Sequence, residues 1–204
     1  MLKNNNKGFT IIEILVATAI LIILGAGFLG IQYIFSQHQV VTWKSYLSIE
    51  DANGIMTTLV KELRNMRQSD TGSYSLETAL DQEIIFYSDC DLDGEVERIR
   101  YTLTGTQLTK GIIKPTGVPL AYPLANENVK VLTDNVRNLT QPIFYYYNSD
   151  WPLDAVNNPL TGATRISDTQ LIKVILRLNT KASEAEKDYV LETYIQPRML
   201  KESQ

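Results

Sequence analysis

Residues 14–31 form an uncharged run of 18 residues in which Thr18 is the one ordinary polar side chain. As a helix, such a run approaches the length needed to cross the hydrocarbon core of a bilayer. Lys7-Gly8-Phe9-Thr10-Ile11-Ile12-Glu13 leads into it, so a carboxylate stands at its mouth. A charge within a membrane helix costs about 2.5–3.5 kcal/mol even on the most forgiving scale, so Glu13 needs a partner. No Lys, Arg or His follows it within two helical turns, and Lys7 lies upstream on the polar side. A cut after Gly8 makes the charge intelligible. Phe9 would then carry a free α-ammonium about 6 Å along the axis from Glu13, at ~1.5 Å per residue. On a packed neighbouring subunit, that ammonium would neutralise the carboxylate. Lys3 and Lys7 precede the run and no Lys or Arg follows until Lys44, which places the N-terminus in the cytoplasm and the rest outside.

A short basic leader ending in Gly8, then Phe9-Thr10-Ile11-Ile12-Glu13 and an apolar helix, resembles the type III signal of type IV pilins and type II secretion pseudopilins. The resemblance implies cleavage between Gly8 and Phe9 by a prepilin peptidase and N-methylation of Phe9. It also implies that Glu13 meets a neighbour's N-terminus during assembly. The implied partners are that peptidase, other pilin or pseudopilin subunits, an inner-membrane assembly platform and membrane lipid. The implied location is the cytoplasmic membrane, single-pass with the head outside, and then an extracytoplasmic filament. Two competing readings remain. One is a general secretory signal with Lys3 and Lys7 as n-region, residues 14–24 as h-region and Gly25-Ala26-Gly27 as cleavage site. The other is an ordinary single-span anchor. Both leave Glu13 without a purpose.

Composition fits a small exported head on a membrane stem. Loss of the leader removes two lysines and leaves 17 basic against 23 acidic residues, a balance of −6. An acidic head argues against nucleic acid as the principal partner, for which a basic patch would be needed. Cys90 is the single cysteine, so no intramolecular disulfide framework exists, and a small packed side chain is the expected role.

No proline occurs before Pro115, so nothing of that kind interrupts a helix through residue 68. Beyond Phe35 the apolar residues thin to Val40, Trp43, Leu47, Ile55, Leu59, Leu63 and Met66, which is helical spacing. Lys61, Glu62, Arg64 and Arg67 are expected largely off this stripe. The prediction is one helix of about 60 residues, ~90 Å long at 1.5 Å per residue, ended by residues 70–73. Gly25, Gly27 and Gly30 fall in its apolar half. They are read equally as points where the helix loosens on leaving the bilayer and as sites of close helix packing.

Residues 84–204 read mainly as strands: 84–87 and 96–103 on either side of an acidic turn, then 129–132, 143–147, 171–178 and 189–195. Turn residues are densest over 151–162. Short helical turns are conceivable at 126–138 and 183–187. The expected fold is α+β and pilin-like, with a long N-terminal helix packed on an antiparallel sheet head. Its parts are a leader (1–8), a transmembrane or filament-core helix (9–35), an amphipathic helix (36–70) and a β-rich head (71–204). The passage from Asn135 to Leu139, the aromatic run Phe144-Tyr145-Tyr146-Tyr147, Trp151 and the strand from Lys173 to Leu178 is similar in pattern to J-type minor pseudopilins and minor pilins. That similarity implies a minor subunit acting at or near a filament tip.

Asp89-Cys90-Asp91-Leu92-Asp93-Gly94 has the alternating carboxylates and glycine of the first half of a calcium loop. Asp89, Asp91 and Asp93 are the candidate ligands of a calcium ion. The second half departs from the EF-hand pattern, since Arg100 stands at the twelfth position, although Glu95 and Glu97 could lend an oxygen. The competing reading is an acidic β-turn. Catalysis is not expected. The one histidine, His38, lies on the stem without acidic or cysteine companions, and no phosphate loop, paired-cysteine motif or nucleophile elbow occurs. Tyr145 to Tyr147 could form an aromatic platform, but alternation along a strand should send at least one ring into the core. The function classes left are a filament subunit and a membrane-tethered or secreted binding module, such as a calcium-dependent adhesin.

Overall fold

A computed structural model describes residues 8–178 and 188–198, apart from the side chains of Val41, Lys44 and Ser45. The expectations for the leader residues 1–7 and for a turn at 183–187 fall outside these residues. The chain divides into two units, Met1–Tyr46 and Leu47–Gln204. Helix α1 (Ile11–Arg64) contributes to both.

In the first unit, Ile11–Val40 is long and apolar enough to cross a membrane, and none of it is buried. The Thr18 hydroxyl donates to the Leu15 carbonyl over 3.0 Å, so the one polar side chain of the run is satisfied by its own helix. Side chains added at Gly25, Gly27 or Gly30 would meet open space.

In the second unit, the end of α1 supplies Ala52, Met56, Leu59 and Leu63 to the core, and Met66, two residues past the helix, joins them. Their steps of four and three residues keep them on one face. Burying a side chain such as Leu63 contributes about 1.5–3 kcal/mol. The sequence stripe is therefore right at Leu59, Leu63 and Met66. Glu62 departs from the expectation, because it is buried with the stripe instead of lying off it. It makes the turn between Leu59 and Met66, so it can reach the core only if it finds polar partners there, and it does.

Two antiparallel sheets complete this unit. The first runs β1 (Leu76–Ala79), β2 (Glu83–Ser88), β3 (Glu97–Thr104), β4 (Gln107–Ile113) and β5 (Asn128–Thr133), in sequence order. The second runs β6 (Phe144–Tyr147), β7 (Leu171–Leu178) and β8 (Tyr189–Ile195). A short 3-10 turn, Leu124–Asn126, precedes β5, and a five-residue helix α2 (Thr164–Asp168) precedes β7. The region 126–138, where a helical turn was conceivable, thus holds β5. The α+β layout of apolar N-terminal helix and antiparallel head is as expected.

Alternation decides the faces of the first sheet. Ile84 and Phe86 of β2 and Ile99 and Tyr101 of β3 face the helix side and are fully buried. The Phe86 and Tyr101 rings lie parallel with centroids 6.2 Å apart. Arg98 and Arg100 alternate onto the opposite face. There Arg98 grips Glu77 at 2.7 and 2.6 Å, and Arg100 grips Glu127 at 2.7 Å through two nitrogens. Two-pronged guanidinium–carboxylate pairs of this kind fix register as well as adding charge-assisted bonds.

Candidate functional site

At the N-terminus, Gly8, Phe9 and Thr10 are exposed and precede the first helical residue, Ile11. Phe9 is 81% exposed. Thr10 and Glu13 cap the helix reciprocally. The Glu13 N–H donates to Thr10 Oγ1 at 3.3 Å, and the Thr10 N–H donates to Glu13 Oε2 at 3.4 Å. This Thr-x-x-Glu arrangement satisfies two backbone donors that a helix start would otherwise leave open. It also places a negative charge in the first turn, where the helix dipole favours it. The sequence reading missed this local role of Glu13, although the three-residue spacing from Thr10 was there to be read. His38 is exposed on α1.

The acidic turn between β2 and β3 is built differently from a bare hairpin turn. Asp89 Oδ2 accepts the Gly94 N–H at 3.2 Å, Asp91 Oδ1 accepts the Asp93 N–H at 3.3 Å, and Asp93 Oδ1 accepts the Glu95 N–H at 2.9 Å. Gly94 takes φ +97°, a conformation that costs glycine nothing. Arg67, just past α1, reaches Asp89 Oδ2 and the Gly94 carbonyl, each at 3.1 Å. Asp70 Oδ2 accepts the Val96 N–H at 2.9 Å. The turn is thus tied to the segment that ends the helix.

Of the three aspartates read as calcium ligands, Asp89 and Asp91 come together, and the third member of their group is Glu97. One potential ligand atom from each of these three lies within 4.8 Å of the others. Asp93 turns to Lys114 instead. The Lys114 ammonium donates to Asp91 Oδ2 at 2.7 Å and Asp93 Oδ2 at 2.8 Å, and lies 3.6 Å from Glu97 Oε1. The Lys114 hydrogen bond holds Asp93 below the usual carboxylate range, and Asp91 and Asp93 together raise Lys114. Glu97 Oε2 accepts the Cys90 N–H at 2.9 Å. Burial, with the Glu97 charge behind it, pushes the Cys90 thiol up to about 12, as suits a packed rather than a reactive cysteine.

The tyrosine run divides as strand alternation requires. Tyr146 is fully buried and donates to the Leu80 carbonyl at 2.9 Å. Tyr145 lies on the other face, where Lys173 Nζ stands 5.8 Å from its ring centroid and 5.2 Å from that of Tyr194. Tyr147 packs against Trp151 with centroids 4.7 Å apart. The passage before β6 clips onto β7. The Arg137 N–H donates to the Arg177 carbonyl at 2.8 Å, while the Asn138 side chain donates to the Ile175 carbonyl and accepts the Arg177 N–H, both at 2.8 Å.

Residues 3–29 match the family model described as the prokaryotic N-terminal methylation motif. That span takes in Gly8, Phe9, Glu13 and most of the uncharged run. No curated protein matches the chain.

Proposed function

We propose that the chain is a structural subunit, of the minor kind, of a type IV pilus or type II secretion pseudopilus. In this reading prepilin peptidase cuts between Gly8 and Phe9, Phe9 is N-methylated, and the subunit enters the filament through α1. The observation that carries the reading is the coincidence of the matched motif at residues 3–29 with a helix segment, Ile11–Val40, that is apolar and entirely exposed. Exposed apolar surface on this scale calls for cover by lipid or by other helices. Glu13 gives that cover a geometry. Among the described residues its carboxylate accepts a hydrogen bond from the Thr10 N–H, at a long 3.4 Å. A carboxylate so weakly held stays available to a neighbour's Phe9 ammonium, which would neutralise it where the medium is apolar.

The role is assembly and not catalysis. Partners are prepilin peptidase, other pilin or pseudopilin subunits, the inner-membrane assembly platform and lipid. The minor assignment draws its support from the J-type pattern, with the Val136–Asn138 passage clipped to β7 and the aromatic strand β6 beside it.

Substitution of Glu13 tests the reading. Glu13→Ala should leave export and peptidase processing in place and remove the subunit from the sheared filament fraction. Normal incorporation of Glu13→Ala would remove Glu13 from the assembly step, and absence of the wild-type chain from that fraction would instead support a membrane-tethered or secreted binding module whose N-terminus serves export alone.

A further inference from the structure

The Glu97 side chain is 0% exposed, and its Oε1 has no hydrogen-bond partner among the described residues. The nearest cation to that oxygen is Lys114 Nζ, at 3.6 Å. Asp89 Oδ1, in the same cluster, is likewise buried without a hydrogen-bond partner. A buried carboxylate oxygen left unpaired carries a heavy desolvation cost. Two such oxygens facing one cluster point to a cation that would satisfy both. Lys114 supplies a single charge on a flexible stem, and its hydrogen bonds go to Asp91 and Asp93 on the solvent side. It leaves the two inner oxygens without a hydrogen bond among the described residues, its contact with Glu97 Oε1 being a 3.6 Å ion pair.

We infer that Asp89, Asp91 and Glu97 form a binding site for a calcium ion, and that Lys114 is a tethered cation competing with it. A spread of at most 4.8 Å between ligand oxygens matches opposite donors around an ion with bonds of about 2.3–2.6 Å. The donors are all oxygen, which selects a hard cation. Calcium accepts irregular, carboxylate-rich coordination more readily than magnesium, which demands a near-octahedral shell. Arg67 keeps its hold on Asp89 Oδ2 and leaves Oδ1 for the ion. Displacing Lys114 costs part of the binding, so affinity falls in the weak range of extracellular calcium modules, Kd on the order of 10⁻⁴–10⁻³ M. The inference is independent of the filament role.

The test is calorimetric titration of the chelator-treated full chain in detergent with calcium chloride. One calcium per chain is expected, with affinity about tenfold tighter in Lys114→Gln and lost in Glu97→Gln. Because Glu97 is buried, the half-exposed Asp91→Asn serves as the control for folding and should also lose binding. Unchanged binding in both acidic variants would overturn the site. So would the absence of binding in the wild type and in Lys114→Gln alike, which would make Lys114 the permanent counter-ion.

Discussion

The Tyr101 hydroxyl donates to Glu62 Oε2 over 2.7 Å and so joins α1 to β3 inside the core. Lys110 from β4 donates to the other oxygen of the same carboxylate. Glu62 is 5% exposed, and burial of this kind is tolerated because both oxygens are used. Glu62→Ala would strand the Lys110 ammonium and the Tyr101 hydroxyl together. Breaking a buried pair from one side costs about 3–5 kcal/mol. A urea midpoint should fall accordingly. The double variant Glu62→Leu with Lys110→Met, which removes both charges, should recover most of the loss.

Gly111 is required by a neighbouring ion pair. A Cβ at this position would sit 2.0 Å from Glu127 Oε1, the same oxygen that accepts Arg100 Nε at 2.7 Å. Gly111→Ala therefore displaces the carboxylate from its guanidinium, with an expected loss of about 1–3 kcal/mol. In an Glu127→Ala background the same substitution should cost little. A double-mutant cycle that came out additive would contradict this coupling.

Stability should hold steady through neutral pH and fall on both sides. Burial, reinforced by the hydrogen bond to Glu77, pushes Tyr87 from an ordinary 10.0 up to about 12, and burial also raises Tyr101 and Tyr146. These groups stay protonated in the fold at pH values where the unfolded chain ionises. Their support is complete below about pH 10 and is lost as pH rises beyond it. On the acid side, burial pushes Glu77 up, but hydrogen bonds from Arg98 and Tyr87 outweigh it and leave it below its ordinary 4.5. Its support is present above about pH 4.5 and is lost as pH falls further. Thermal midpoints across pH in detergent should show this plateau. A steep change near neutrality would contradict it.

Much of the fold was written in patterns that a single chain displays. The uncharged run predicted the exposed apolar helix, and the spacing of Leu59, Leu63 and Met66 predicted the buried face. The runs 84–87 and 96–103 predicted the β2–β3 hairpin around the acidic turn. Strand β1 gave no signal, because Leu-Glu-Thr-Ala is short and half polar. Strand β4 was hidden by Thr109, Lys110 and Gly111, whose places are set by partners instead of by alternation. The acidic cluster was legible only in part for a related reason. Arg98 pairs with Ile113 at the end of the β3–β4 ladder, so the next residues, Glu97 and Lys114, emerge side by side. That meeting depends on sheet register, and no local motif announces it. Glu62 was expected off the stripe for the same kind of reason, since the partners that let it be buried, Tyr101 and Lys110, lie 39 and 48 residues away.

The central claim, processing into a filament subunit, is tested most directly by the intact mass and N-terminal sequence of the protein recovered from its native membrane. The account predicts a chain that begins at Phe9 and carries one added methyl group. A chain that begins near residue 28, or that retains Met1, would contradict it.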